Sequence, residues 1–498
     1  MTEKVTQSGG SKDYFKDHSN YRSKYRLHQN TGFMLSTAWR VCKSVIFLMI
    51  FLAFIITAKS AVELFIAPMI LEKIEMNAPF LELISVIAMF SISLILLAGL
   101  EGYVRENVLF GRIAVRQDLI RQIGDKTAGT SYPNTLNADF LSFQAKSYKA
   151  CWDNASPGEA FWTSLTQLLA NFLSFLVWFL LLSSLNPVLI GAVGAVSVAG
   201  YIINKSAHQW GWNHRGEEAY CHKKMDYICR MSTTRPYAKD IRMFGLRPWF
   251  EEMWNQGFGQ YRKFLARREK RYLWANLGEL ALMLIRSSVI FACLLYLAFQ
   301  EGLSVSRFFL YFTAANSFTF WVTGILDQLS LLYRQSLELS VIREYLEWPE
   351  PFLFEQGRPL SGEMEKSYEL RLENVSFSYP GSGTNTISHM NLVIAPGEKL
   401  AVVGLNGAGK TTLVKLICGF LDPTEGAVLL NGEDIRQYNR RDYYRLFAAV
   451  FQDFSILEAS VAENVAQCVD GIDINRVQES IAMAGLTQKI ESLPHGLD

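Results

Sequence analysis

The 498-residue chain sets 48 Lys and Arg against 47 Asp and Glu, a formal net charge of +1, so its charge gives no reason to expect nucleic acid as a partner. Half of its residues are hydrophobic, and no Asp, Glu, Lys or Arg falls between Glu159 and Lys205, a gap out of place in a soluble fold. Its seven cysteines are scattered without a paired framework, which argues against a disulfide scaffold and for reduced or buried thiols.

Residues 1–40 read as a polar N-terminal arm that ends in an interfacial helix over Thr31–Val41, with Trp39 at headgroup level. About forty mostly polar residues precede the first apolar run, so no cleavable signal peptide is evident. A membrane-crossing helix needs about 20 mainly apolar residues, and six stretches within a membrane domain at 41–347 come near that. They are 44–71, 83–100, 160–184, 188–204, 273–299 and 308–326, with an Asn186-Pro187 turn between the third and fourth. Lys and Arg crowd the N-terminal arm and the long segments 101–159 and 205–272 but nearly vanish from the other turns. By the positive-inside tendency, the N-terminus, both long loops and everything after the sixth span are expected to be cytoplasmic, in a multi-pass protein of the cell membrane.

Charges inside the spans are costly and therefore candidates for function. Lys59 and Glu63, four residues apart, share a helix face and can pair, and their place toward the outer interface suits snorkelling of their side chains. Glu279 and Arg286 lie two turns apart and either line a substrate path or pack against neighbouring helices. His214, Cys221, His222 and Cys229 match no zinc spacing and read as polar positions on a cytoplasmic helix.

Asp327–Glu347 continues the sixth span as a helix, and Pro349, Pro351 and the Gly and Ser residues of 357–362 mark a linker at 348–366. The periodicity then falls to two. Leu370 and Leu372 alternate with charges, then Val375, Phe377 and Tyr379 with Asn374, Ser376 and Ser378, so a second domain of strands and helices at 367–498 is expected. At its centre Lys399–Val403 reads as a buried strand, followed by Gly404-Leu405-Asn406-Gly407-Ala408-Gly409-Lys410-Thr411 and an apolar helical stretch from Thr412 to Cys418. This matches G-x-x-x-x-G-K-[ST] in full. Glycines let successive N–H groups turn toward phosphates, and a helix N-terminus favours negative charge. Gly404, Asn406, Gly407, Ala408, Gly409 and Thr412 are therefore expected to form the cradle, with Lys410 reaching the β- and γ-phosphates of ATP and the Thr411 hydroxyl ligating Mg²⁺.

From Tyr368 onward the chain resembles the nucleotide-binding domain of ABC transporters, and the six preceding spans resemble the exporter type of membrane domain. Pro396-Gly397-Glu398-Lys399 and Pro423-Thr424-Glu425-Gly426 carry the likeness beyond the phosphate loop. The resemblance implies that Tyr379, in Ser378-Tyr379-Pro380, stacks on adenine. It implies that Gln452, in Ala448–Asp453, is the Q-loop glutamine, a catalytic residue that contacts Mg²⁺ or water near the γ-phosphate and senses the membrane domain. Coupling helices are expected near 134–149 and 236–250. The resemblance further implies a half-transporter that forms a homo- or heterodimer among membrane lipids and uses ATP binding and hydrolysis to export an unidentified substrate; mostly neutral, aromatic spans suit an apolar or amphipathic cargo.

After Gln452 the family's Leu-Ser-Gly-Gly-Gln segment, its apolar strand ending in Asp-Glu and its switch histidine do not appear. Val465–Asp470 is interrupted by Gln467, and His495 precedes where that histidine would fall. The expectation is an α-helical membrane domain followed by an incomplete α/β P-loop domain, from a longer transporter, binding ATP weakly and not hydrolysing it alone. The alternative expectation is a non-hydrolytic ATP-binding membrane subunit that regulates or complements a full-length partner.

Overall fold

A computed structural model describes residues 23–183, 214–302, 304–360, 367–451 and 456–497, with single positions between 184 and 213. They fall into two compact units: one runs to Thr130 and from Asn134 to Pro349, the other holds Ser131–Pro133 and the chain from Glu350.

The first unit is helical. In chain order it comprises α1 (Leu27–Val41), α2 (Ser44–Glu75), α3 (Phe80–Gly129), the single turn α4 (Tyr132–Thr135, shared with the second unit), α5 (Ala138–Lys149), α6 (Pro157–Ser183), α7 (Arg215–Thr233), α8 (Ala238–Met243), α9 (Arg247–Glu301) and α10 (Val305–Leu346). Five of the helices are long and apolar enough to cross a membrane: α2, α3, α6, α9 and α10. They carry five of the six expected spans, and the remaining one, the fourth at 188–204, lies almost wholly outside the described residues. Uncharged runs set these helices, because a backbone in lipid must satisfy its own hydrogen bonds and a helix does so within one segment.

The unit's largest core gathers Met34 and Ala38 of α1, Leu119 of α3, Phe140 of α5, Trp162 of α6 and Leu339 and Tyr345 of α10. Beside it the Asn30 amide donates to the Ser336 carbonyl at 2.8 Å and to the Ser340 hydroxyl at 2.7 Å, so the buried end of α1 leaves no amide proton unmatched against α10.

Lys59 does not pair with Glu63. Its ammonium sits 3.0 Å from Glu101 of α3, which also takes Arg105 at 2.6 Å. Lys73 and Glu82 pair at 3.0 Å beside the short turn that joins α2 to α3. Lys59 lies fourteen residues before Lys73 on α2, or about 21 Å along the helix. A charge that deep gains more from a half-buried carboxylate on the facing helix than from an i+4 partner on its own.

The second unit is built on a four-stranded antiparallel sheet, order β2-β1-β3-β4: β1 (Leu370–Phe377), β2 (Ile387–Ile394), β3 (Glu425–Leu430) and β4 (Glu433–Asp434). The apolar set of β1 changes parity between Leu372 and Val375, and there the ladder slips on both sides, with Asn374 at φ +48°. Gly426 of β3, at φ +82°, fits against this bulge; a Cβ there would lie 2.4 Å from the carbonyl oxygens of Glu373 and Asn374. Helix α11 (Lys410–Ile417) packs Leu413 and Leu416 on the sheet beside Leu372, Val375, Val428 and Leu430. Four short helices complete the unit: α12 (Arg440–Tyr444), α13 (Val461–Ala466), α14 (Ile474–Met483) and α15 (Thr487–Glu491).

The expected buried strand at Lys399–Val403 is not formed. The segment has no regular structure, and Val402 and Val403 are 46% and 90% exposed. A strand exists through its ladder partners, and among the described residues none pairs with this one.

Candidate functional site

The site grows from the sharp entry into α11. Gly407 and Gly409 hold φ of +85° and +88°, a conformation that side chains rarely adopt, and a Cβ on Gly409 would approach the Thr386 carbonyl at 3.1 Å. The turn is closed by the Ala408 N–H donating to the Leu405 carbonyl at 3.2 Å, and α11 begins with the Leu413 N–H donating to Gly409 at 2.9 Å. Gly404, Asn406, Gly407 and Ala408 are exposed, Gly409 and Lys410 half-buried, Thr411 exposed and Thr412 buried.

The Lys410 ammonium donates to the carbonyls of Gly404 and Leu405, both at 2.8 Å. Among the described residues it meets no carboxylate. A cation held on its own loop, an open face above Gly407 and the free N–H groups at the start of α11 together suit a polyphosphate. The Tyr379 hydroxyl stands 3.2 Å from the Thr412 hydroxyl, and the Tyr379 ring meets Phe377 edge-on at 4.9 Å. Tyr379 thus lies beside the first turn of α11, at the edge of the loop. Gln452 falls outside the described residues; Phe451, just before it, packs edge-on against Phe420 at 5.7 Å.

The far end of α11 is pinned by residues that the sequence did not single out. Arg440, 1% exposed, donates to the Gly419 carbonyl at 3.0 Å and to Asp422 at 2.8 Å, while its guanidinium lies 4.2 Å from the centre of the Phe352 ring. The Tyr443 hydroxyl donates to the Ile417 carbonyl at 2.6 Å, and burial raises this phenol's pKa; burial likewise pushes Tyr444 up to about 12. The Lys415 ammonium donates to the Tyr132 hydroxyl at 2.8 Å, and the Tyr132 ring meets Phe420 at 5.6 Å. Ser131 N–H and hydroxyl both donate to Glu350 at 2.7 Å. The residues grouped with the second unit are thus 131–133, just ahead of the expected coupling segment 134–149, most of which forms α5. In the sequence Arg440 stands in Asn439-Arg440-Arg441-Asp442, which reads as a solvated charge run, so nothing there marked it as buried.

Comparison with known proteins agrees with this geometry. Residues 387–496 match the ABC transporter family. The structure also resembles a bacterial Atm1-family ABC exporter with ATP bound, with a TM-score of 0.70 over 92% of this chain and 80% of that one at 17% identity, which shows the shared fold. The chain shares the fold of an ABC exporter, with an ABC transporter domain over residues 387–496.

Two curated relatives are similar over part of their length. The chain is 27% identical over 255 residues to the subtilin transport ATP-binding protein SpaT of Bacillus subtilis, a match spanning 51% of this chain and 40% of the relative. It is 42% identical over 133 residues to the ATP-dependent lipid A-core flippase of Cupriavidus metallidurans, spanning 26% of this chain and 22% of the relative. The chain thus spans less than half the length of the curated relatives it matches.

Proposed function

We propose that the chain is an ABC half-transporter of the exporter type that binds Mg-ATP on Gly404–Thr412 and, in a dimer with itself or another half-transporter, couples ATP binding and hydrolysis to export of an apolar or amphipathic cargo. The observation that carries this reading is a lysine-led phosphate loop on the same chain as five membrane-capable helices, in an exporter fold. Lys410 would leave its two loop carbonyls for the phosphates, a short swing that exchanges weak neutral acceptors for charged ones. Thr411 would ligate Mg²⁺, whose charge neutralises the phosphate oxygens when bound. Tyr379 would present its ring to the adenine and Gln452 would orient water at the γ-phosphate. The nucleotide unit lies on the cytoplasmic side, as the basic residues of the N-terminal arm and long loops indicate. Boundaries at 41–347 for the membrane domain, 348–366 for the linker and 367–498 for the nucleotide domain follow from the same reading.

The test is nucleotide binding and turnover by the chain in proteoliposomes, compared with Lys410→Ala. Lys410-dependent binding supports both the exporter reading and that of a non-hydrolytic subunit, and Lys410-dependent turnover by the chain alone overturns the expectation that hydrolysis needs segments this chain does not carry. Binding that survives Lys410→Ala unchanged refutes both.

A further inference from the structure

The membrane unit holds a second charged site, remote in sequence from the phosphate loop. Between α2, α3 and α6 lies a cavity of about 170 Å³, lined by Leu52 and Ile56 of α2, by Arg105, Glu106, Leu109 and Arg112 of α3, and by Thr163, Thr166 and Gln167 of α6. At about 30 Å³ per water it holds roughly six waters, room for a headgroup but not for a whole lipid. Its α2 and α6 residues lie within the spans 44–71 and 160–184, and its charged α3 residues follow the uncharged run 83–100, so it straddles the boundary between hydrocarbon and headgroups.

The charges around it do not cancel internally. Arg112 donates through Nε to Glu159 at 2.7 Å, and that carboxylate is fully buried with its second oxygen unpartnered. Among the described residues the Arg112 Nη groups make no hydrogen bond. Arg116, one turn on and 8% exposed, meets only the neutral Asn154 side chain, at 2.7 Å. Arg105 shares Glu101 with Lys59. Glu106, exposed, has no ion pair among the described residues. Lys59, Arg105, Arg112 and Arg116 therefore stand against Glu101, Glu106 and Glu159, leaving a net +1. One cationic and one anionic group with free valence, Arg112 and Glu106, line the same small cavity.

We propose that this cavity binds the headgroup of an aminophospholipid. The phosphate is held by the guanidinium forks of Arg112 and Arg105, the primary ammonium by Glu106, and the acyl chains run out along Leu52, Ile56 and Leu109. The Arg112 Nη groups and the Glu106 carboxylate keep hydrogen-bonding valence that nothing internal uses, and a zwitterion of matching polarity engages both at once. A purely anionic headgroup would leave Glu106 opposed by like charge, and a choline headgroup offers it no N–H donor.

The full chain in nanodiscs of mixed phosphatidylethanolamine, phosphatidylglycerol and phosphatidylcholine tests this, with co-retained lipid read by native mass spectrometry. The expected result is retention of phosphatidylethanolamine over both others. Arg112→Gln should lower that retention about tenfold, the loss of one charge-assisted contact. Glu106→Gln should abolish the preference for phosphatidylethanolamine over phosphatidylglycerol while leaving total phospholipid unchanged. Arg105→Gln, at an exposed position, serves if Arg112→Gln does not fold, and should lower retention several-fold. Equal retention of the three lipids, or an unchanged ranking in Glu106→Gln, overturns the proposal. Displacement of the lipid by soluble phosphoethanolamine at millimolar concentration would assign the cavity to a free metabolite and overturn the lipid reading.

Discussion

Arg440→Met should loosen the phosphate-loop helix from its far end. The guanidinium is 1% exposed and makes two hydrogen bonds, to the Gly419 carbonyl and to Asp422, while lying over Phe352. Breaking a buried ion pair by removing one partner costs about 3–5 kcal/mol. Two features place this case at the lower end. Asp422 keeps 26% side-chain exposure, and the Gly419 carbonyl retains the Tyr444 hydroxyl at 3.3 Å. Methionine also refills part of the volume against Phe352, so about 3 kcal/mol is expected. No tryptophan follows Trp348, so intrinsic fluorescence reports the wrong unit. Amide hydrogen exchange read by peptide is the better assay. A loss of about 3 kcal/mol accelerates exchange through sub-global opening roughly a hundredfold across 410–447, and peptides of α2 and α3 should stay unchanged. Arg440→Lys should recover little, because an ammonium cannot hold Gly419 and Asp422 in a fork while stacking on a ring. Acceleration below about tenfold, or a lysine variant equal to the native chain, would refute the reasoning.

Three further outcomes follow from the same unit. Lys410→Ala should lower affinity for a fluorescent ATP analogue by more than about tenfold, and Tyr379→Ala by several-fold while Tyr379→Phe stays near native, because the stacking face and not the hydroxyl is at stake. Gly426→Ala should cost roughly 2 kcal/mol or more, since the new Cβ would meet two backbone carbonyls at 2.4 Å in a left-handed conformation; urea denaturation of the second unit measures it. Burial raises the Tyr444 phenol from about 10 to about 12, so the stability carried by its neutral form is whole below pH ~10 and drains as pH rises toward 12. Thermal scans at pH 9 and 11.5 should show that drop, and Tyr444→Phe should reduce it.

Much of the architecture was legible because membranes and phosphates each impose simple rules. Uncharged runs gave the long helices, and the spacing from Gly404 to Thr411 gave a turn that only glycine at 407 and 409 closes at these angles. Even the bulge in β1 was written in the sequence as a change of parity, from Leu370 and Leu372 to Val375 and Phe377. Local pattern is enough wherever the partner of a group lies in its own segment.

Where the partner lies elsewhere, pattern fails in a consistent direction. By pattern Lys59 can pair with the nearest carboxylate on its own face, and it instead crosses to Glu101 on the next helix. Lys399–Val403 has every property of a core strand, but a strand takes its burial from neighbours, so its valines stand exposed. Arg440 reads as a surface charge and proves to be among the most buried side chains. Each of these concerns a polar or backbone group whose desolvation must be met by something distant in sequence, and the energy at stake grows as the surroundings lose water. The same reasoning gives weight to the cavity beside Arg112: in a membrane unit a half-buried cation whose internal ion pair leaves donors unengaged is expensive, so a partner from the bilayer is the economical place to look.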